Sequence, residues 1–201
     1  THPPFGLRTT PDSPAGQLLL AAGLPASAGD LAWLLTARNA LADGGTAVVL
    51  TTAGPAFQRA GAGLRHELVR TGSVKAVISL PGAALKLPGT TVGTMAWILG
   101  SPTTDVRPVL MVNGAATDTL EEIIEAVTTW RDHPARFQPV PGFTATLPVL
   151  EPPAADVDLN PALATAVPID PDQALHTAAT TRDTLTAATQ ALAICPPAPD
   201  L

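Results

Sequence analysis

The chain has 201 residues, of which 46% are apolar, enough for one α/β core with an appendage. A net charge of −6, only 11 Lys and Arg, and 3% aromatic residues without Tyr argue against nucleic-acid binding by this chain alone. Because the sequence has neither a signal peptide nor an apolar run of membrane-spanning length, we expect a soluble, cytoplasmic protein without membrane contact. The single cysteine, Cys195, excludes a disulfide framework and a structural zinc site, and no metal is expected.

The first elements follow a proline-rich start. Recurrent prolines predict mostly irregular structure up to Ser27, with one helical turn at Leu18–Ala22. Leucines then recur at the helical period, with Ser27 or Asp30 as the N-cap. A glycine pair ends this helix, and the apolar run Thr46–Thr52 that follows is typical of a central strand covered on both faces.

The middle of the chain predicts the rest of the sheet. A helix carrying Leu64 and Leu68 leads into a second buried strand, Val74–Leu80, which together predict a parallel βαβ unit. Two further strands, Thr91–Leu99 and Pro108–Val112, are separated by a short turn. This close spacing predicts antiparallel pairing, and therefore a sheet that is mixed at one edge.

The last third predicts two helices and an extended connection. Asp118 and Glu121 form a capping box before an amphipathic helix. Prolines then recur up to Pro171, which leaves room for one short strand near Thr144–Leu150. A final helix carries apolar residues seven positions apart, a pattern that suits either docking on its own domain or dimerisation.

The segment His2–Phe5 resembles the Asn-Pro-Pro-Phe signature of amino-methylating DNA methyltransferases, above all the modification subunits of type I restriction systems. Later features follow in the order that this family shows: the strands Thr46–Leu50, Lys75–Leu80 and Met95–Leu99, and then the Leu-Asn-Pro segment Leu159–Pro161. The resemblance covers roughly residues 1–165 and leaves the tail unmatched.

The resemblance implies a Rossmann-like methyltransferase sandwich of the kind that uses S-adenosylmethionine. We expect it to be incomplete, with its first strands and cofactor half missing, because a Gly-rich strand and turn should precede the motif. Residues 1–115 would form the C-terminal half of this α/β domain, 116–170 a helix and Pro-rich extension packed on it, and 171–195 a docking helix.

The same resemblance implies the catalytic residues. Phe5 would stack on a flipped adenine, while Pro3, Pro4 and the residue before them would bind its amino group. The family has Asn at that place and this chain has His2, whose imidazole accepts one hydrogen bond, has a different reach and can carry charge. Whether His2 permits catalysis is left open.

Cofactor and partners are also implied by the family. S-adenosylmethionine would bind only together with the missing half, so this chain alone is expected to be inactive. The intact protein would bind DNA, with a separate specificity subunit or a chain carrying the cofactor half as protein partners, and a homodimer through the tail helix is a further option. The recognised DNA sequence is not encoded in any motif of this chain.

Five cations are candidates for contacts with DNA phosphate: Arg59, Arg65, Arg70, Lys75 and Lys86. Lys86 lies in a loop that is near the substrate cleft in the family, and Arg59 and Arg65 precede the second strand. The alternative is ordinary solvated charge. At the level of the whole chain, a degenerate, non-catalytic interaction module competes with the methyltransferase: His2 and the acidic charge favour the module, and the ordered family features favour the enzyme.

Overall fold

The fold was analysed in a computed structural model, which describes residues 3, 5–6, 9–26, 28–81, 93–117, 119–148, 157–168 and 170–193. The chain divides into two compact units, Thr1–Ala166 and Val167–Leu201. Within the described residues, no helix combines the length and the apolar character needed to cross a membrane.

The first unit is built on one sheet of short strands. They are β1 (Thr46–Thr52), β2 (Val74–Ser79), β3 (Thr94–Gly100), β4 (Val109–Asn113) and β5 (Thr144–Leu147). Their order in the sheet is β1-β3-β2-β4-β5. β1, β2 and β4 run in one direction, and β3 and β5 run in the other. The carboxyl ends of β1, β2 and β4 therefore meet at one edge of the sheet, called the carboxyl edge below.

The predicted mixed α/β class is confirmed and β1 and β2 run in parallel as predicted, but the predicted pairing of β3 with β4 is wrong. β1 and β2 are not neighbours, because β3 lies between them and is antiparallel to both. β3 and β4 do not form a hairpin, because β2 lies between them and pairs with β4 in parallel. An apolar run indicates that a strand is buried, but it does not determine which strands pair with it in the sheet. β3 is buried over nearly its whole length and bonds its backbone to a partner on each side.

Seven α-helices are described. They are α1 (Pro14–Ala21), α2 (Gly29–Asn39), α3 (Gly54–Phe57), α4 (Ala62–Arg70), α5 (Leu120–Asp132), α6 (Pro161–Ala164) and α7 (Pro171–Ala193). α1 is longer than the single turn predicted, because Ser13 caps it by accepting the N–H of Gly16. α5 begins one residue after its N-cap, Thr119. Two predicted capping residues, Ser27 and Asp118, lie outside the described residues.

The sheet buries both faces, and alternate residues of β3 divide between them. Met95, Trp97 and Leu99 pack into a cluster with leucines of α1, α2 and α4. Ala96 and Ile98 belong to the opposite face, which α5 covers. This two-residue period is the geometry of a pleated strand between two helical layers.

The second unit contains α7. Its leucines Leu175 and Leu185 are 70% and 67% exposed. Several of its threonines donate their hydroxyl hydrogen to the carbonyl one turn earlier, as Thr189 does to Leu185. The apolar residues predicted to form a seam thus lie on a helix, and Leu175 and Leu185 among them are exposed.

Candidate functional site

Polar groups line the carboxyl edge of the sheet. Ser79, at the end of β2, donates its hydroxyl hydrogen to Asn113 Oδ1 at the end of β4, at 3.3 Å. The same hydroxyl oxygen accepts the N–H of Gly114 at 3.1 Å. Leu80 donates its N–H to the carbonyl of Thr94 at 2.9 Å, which joins the end of β2 to the start of β3. The strand ends are thus bonded to one another.

Asp30 connects the N-terminal motif to this edge. Its Oδ1 accepts the N–H of Gly6 at 3.1 Å, and its Oδ2 accepts the hydroxyl hydrogen of Thr52, the last residue of β1. Asp30 lies in the first turn of α2, where the helix dipole favours a negative charge. One carboxylate therefore holds the residue after Phe5 at the carboxyl end of β1.

The motif residues are described in part. Pro3 is buried and Phe5 is half-buried, while His2 and Pro4 lie outside the described residues. The catalytic roles of these four residues therefore remain predictions. The sequence pattern marked Asp30 only as a helix cap and Thr52 only as the end of a strand. A polar residue at the carboxyl end of a buried strand was the available signal for Thr52.

The five predicted DNA-contacting cations differ in position: Arg70 is an exposed residue of α4, and Lys75 lies on β2. Arg59 is exposed, in a short 3-10 turn after α3, and Lys86 lies outside the described residues. Arg65 is 0% exposed. Its guanidinium donates to the carbonyls of Val157, of Pro55 at 3.1 Å and of Gln58 at 2.8 Å. Arg65 is therefore an interior residue, and it is removed from the proposed DNA contacts.

A second aromatic side chain near this edge was missed. Phe57 ends α3, the short helix that follows β1, and the residue is 47% exposed. Nothing in the sequence distinguished it from a core phenylalanine. Its exposure makes it an alternative to Phe5 as a surface on which a base could stack.

The Leu-Asn-Pro segment packs beside the same elements. Leu159 is 0% exposed and donates its N–H to the carbonyl of Ala56 in α3 at 2.9 Å. Asn160 caps α6, because its Oδ1 accepts the N–H of Ala162 at 3.2 Å. Together with the bond from Arg65 to Val157, this packing attaches the segment to the turn that leaves β1.

Two glycines follow strands at the carboxyl edge, and other protein atoms lie close to the Cβ position of each. A Cβ on Gly114 would lie 2.1 Å from the carbonyl oxygen of Ser79, and one on Gly54 would lie 2.5 Å from Gln58 Nε2. A dinucleotide-type cradle needs backbone that a ligand can approach. These residues do not fit S-adenosylmethionine, whose cradle must come from others. No group of three metal-ligating side chains occurs in the described part of the chain.

Comparisons with known proteins agree with this architecture. A methyltransferase subunit of a type I restriction-modification system from Streptococcus thermophilus superposes with a TM-score of 0.64 at 21% identity, over 82% of this chain and 36% of that protein. A modification subunit assigned to a type I restriction enzyme from Vibrio vulnificus gives 0.53 at 15% identity, over 80% and 36%. A structure of a type I restriction-modification assembly gives 0.54 at 17% identity, over 83% and 39%. The fold is thus that of type I methyltransferase subunits.

The family model for N-6 DNA methylases matches residues 1–129. No curated protein sequence matches the chain significantly. The chain belongs to the N-6 DNA methylase family, and the resemblance seen from His2–Phe5 and the following strands is confirmed. The chain spans 36 to 39% of the length of the three solved proteins named above.

Proposed function

We propose that this chain supplies the target-base half of a restriction-modification DNA methyltransferase, which transfers a methyl group from S-adenosylmethionine to N6 of adenine. The observation that carries the proposal is the bridge made by Asp30 between Gly6 and Thr52. It supports the proposal because it holds Gly6, the residue after Phe5, at the edge of the sheet at which open α/β folds bind their ligands.

Methyl transfer requires the motif to bind the exocyclic amino group of the target adenine. The carbonyl of Pro3 and the imidazole of His2 would accept the amine hydrogens, and the ring of Phe5 would stack on the flipped base. Lys86 belongs to a segment that begins after Leu80 and ends before Thr94, two residues bonded to each other at this edge. Lys86 and the exposed Arg59 would then neutralise DNA phosphates.

The role of Phe5 is tested in the full-length protein with the complete coding sequence, using a labelled methyl group and an adenine-containing duplex. Phe5→Ala should lower kcat/KM about tenfold to a hundredfold, the value of one base stack. Phe57→Ala is the matched control and should leave the rate unchanged. Loss of activity in Phe57→Ala but not in Phe5→Ala would indicate that the base stacks on Phe57 instead of Phe5.

Asp30 is proposed as a positioning residue. Asp30→Ala removes both tethers of the motif and should lower kcat without weakening S-adenosylmethionine binding. Asp30→Asn should restore most of the rate, because its amide oxygen still accepts the N–H of Gly6 and its amide nitrogen can donate to the Thr52 oxygen. A parallel loss of cofactor binding and of folding in both variants would indicate a purely structural role.

The chain alone should neither bind S-adenosylmethionine in a calorimetric titration nor methylate DNA, because its described strand-end glycines are covered. The second candidate function is a non-catalytic interaction module, which the exposed Leu175 and Leu185 on α7 favour. If the full-length protein also fails to bind the cofactor and to label DNA, the module is the better description. A specificity subunit would be the expected partner in either case.

A further inference from the structure

A cavity lies at the edge of the sheet opposite to the carboxyl edge. It is a cleft of about 690 Å³ at the amino ends of β1 and β2, walled by α5 and by the segment that follows β3. Apolar side chains line part of it, including Ile98, Val127 and Trp130. The volume is that of a small-molecule site, in which a few polar groups orient a ligand on an apolar surface.

Lys75 is directed into this cleft by the backbone. The register of β2 on β3 shifts between Val74 and Ala76, so Lys75 occupies a bulge. Gly100 of β3 makes room for the lysine stem, since a Cβ there would lie 2.6 Å from Lys75 Cε. Bulges re-aim side chains and are frequent beside functional sites.

The charges around Lys75 leave one cation uncompensated. Arg107 pairs with Asp105 at 3.0 Å, and Arg131 pairs with Asp132 at 2.7 Å. In the described part of the chain, the Lys75 ammonium has no hydrogen bond or ion pair. The three cations that line the cleft and their two carboxylate partners, Asp105 in the lining and Asp132 next to Arg131, thus leave a single net positive charge. Burial lowers the pKa of Lys75, and Arg107 lowers it further, against the weaker opposite effect of Asp105.

We infer that this cleft binds a small amphipathic carboxylate, with the carboxylate on Lys75 Nζ and the apolar body against Val127 and Trp130. A carboxylate brings one negative charge and matches the net charge of the cleft. A phosphate monoester carries roughly −1.5 to −2 at neutral pH and would place excess charge near Asp105. Opposite charge in a partly desolvated cleft favours binding of the ion over its neutral analogue.

Calorimetric titrations of the whole chain test this with 2-naphthoate and its uncharged analogue, 2-naphthamide. The acid should bind about tenfold or more tightly than the amide, the value of one hydrogen bond to a charged group. Lys75→Met should abolish this preference. Arg70→Met is the matched control, because Arg70 is an exposed cation on α4, a helix that packs on the other face of the sheet.

A second variant keeps the positive charge of Lys75 but displaces the lysine side chain. Gly100→Ala places a methyl carbon 2.6 Å from the position of Lys75 Cε, so the lysine must move, and the preference for the acid should fall while the protein remains folded. Equal binding of acid and amide, or an unchanged preference in Lys75→Met, would overturn the site. Binding of naphthyl phosphate tenfold more tightly than naphthoate would overturn the assignment to a carboxylate.

Discussion

Replacing Arg65 by Met should strongly destabilise the first unit, because three carbonyls share its guanidinium in the interior. A hydrogen bond to a charged group is worth about 1.5 to 3 kcal/mol, but the substitution also removes the cost of burying that charge. Each carbonyl left buried without its donor costs about 1 to 3 kcal/mol, so the loss of three bonds outweighs that gain. A typical domain is stable by about 5 to 15 kcal/mol, so we expect a large fraction of the free energy of unfolding to be lost.

Urea unfolding followed by tryptophan fluorescence measures this loss, since Trp97 is 0% exposed. Hydrogen exchange at the Leu159 amide, which donates to Ala56, should accelerate most, because Arg65 holds the adjacent carbonyl of Val157. Arg59→Met, at an exposed position, should change stability by less than about 0.5 kcal/mol. A loss below about 1 kcal/mol in Arg65→Met, with unaltered exchange at Leu159, would refute the reasoning.

Two further predictions concern local packing and titration. Gly63→Ala in α4 should stabilise the protein by about 0.5 to 1 kcal/mol, because a Cβ there meets nothing within 4 Å. Gly114→Ala should instead destabilise it by about 1 to 3 kcal/mol. Thermal unfolding measures both changes, and the same sign for both would contradict the prediction. Because the pKa of Lys75 is lowered, the unfolded chain keeps that proton to higher pH, and the free energy of unfolding should rise as pH increases from the lowered pKa to 10.5. Lys75→Met should lack this rise and be no less stable at pH 7, and urea unfolding at neutral and alkaline pH measures both.

The strands were predictable because each is a short apolar run between Gly or Pro residues. β1 was predicted with its observed bounds, Thr46–Thr52, and β2 to within one residue at its end. Their order was not predictable. A crossover that inserts β3 between β1 and β2 depends on contacts over long sequence distances, which local periodicity does not contain.

The site was predictable only where it resembles a family motif. Pro3 and Phe5 stood out through that resemblance, but Asp30 looked like a helix cap, and its bonds to both Gly6 and Thr52 depend on the fold. Arg65 was treated as a surface residue because most arginines are exposed. Its position did carry a signal, since it is three and four residues before the buried Leu68 and Val69 and so shares their helix face.

The insertion of β3 has a consequence for synthesis on the ribosome. When residues up to Ser79 have emerged, β1 and β2 are both available, yet the strand that joins them begins only at Thr94. Until then each presents an unpaired backbone on its inner side, the type of surface that promotes association with other nascent chains. Delay or error in the stretch between β2 and β3 should therefore reduce the yield of folded protein more than a comparable change after β4, when all but one strand is in place.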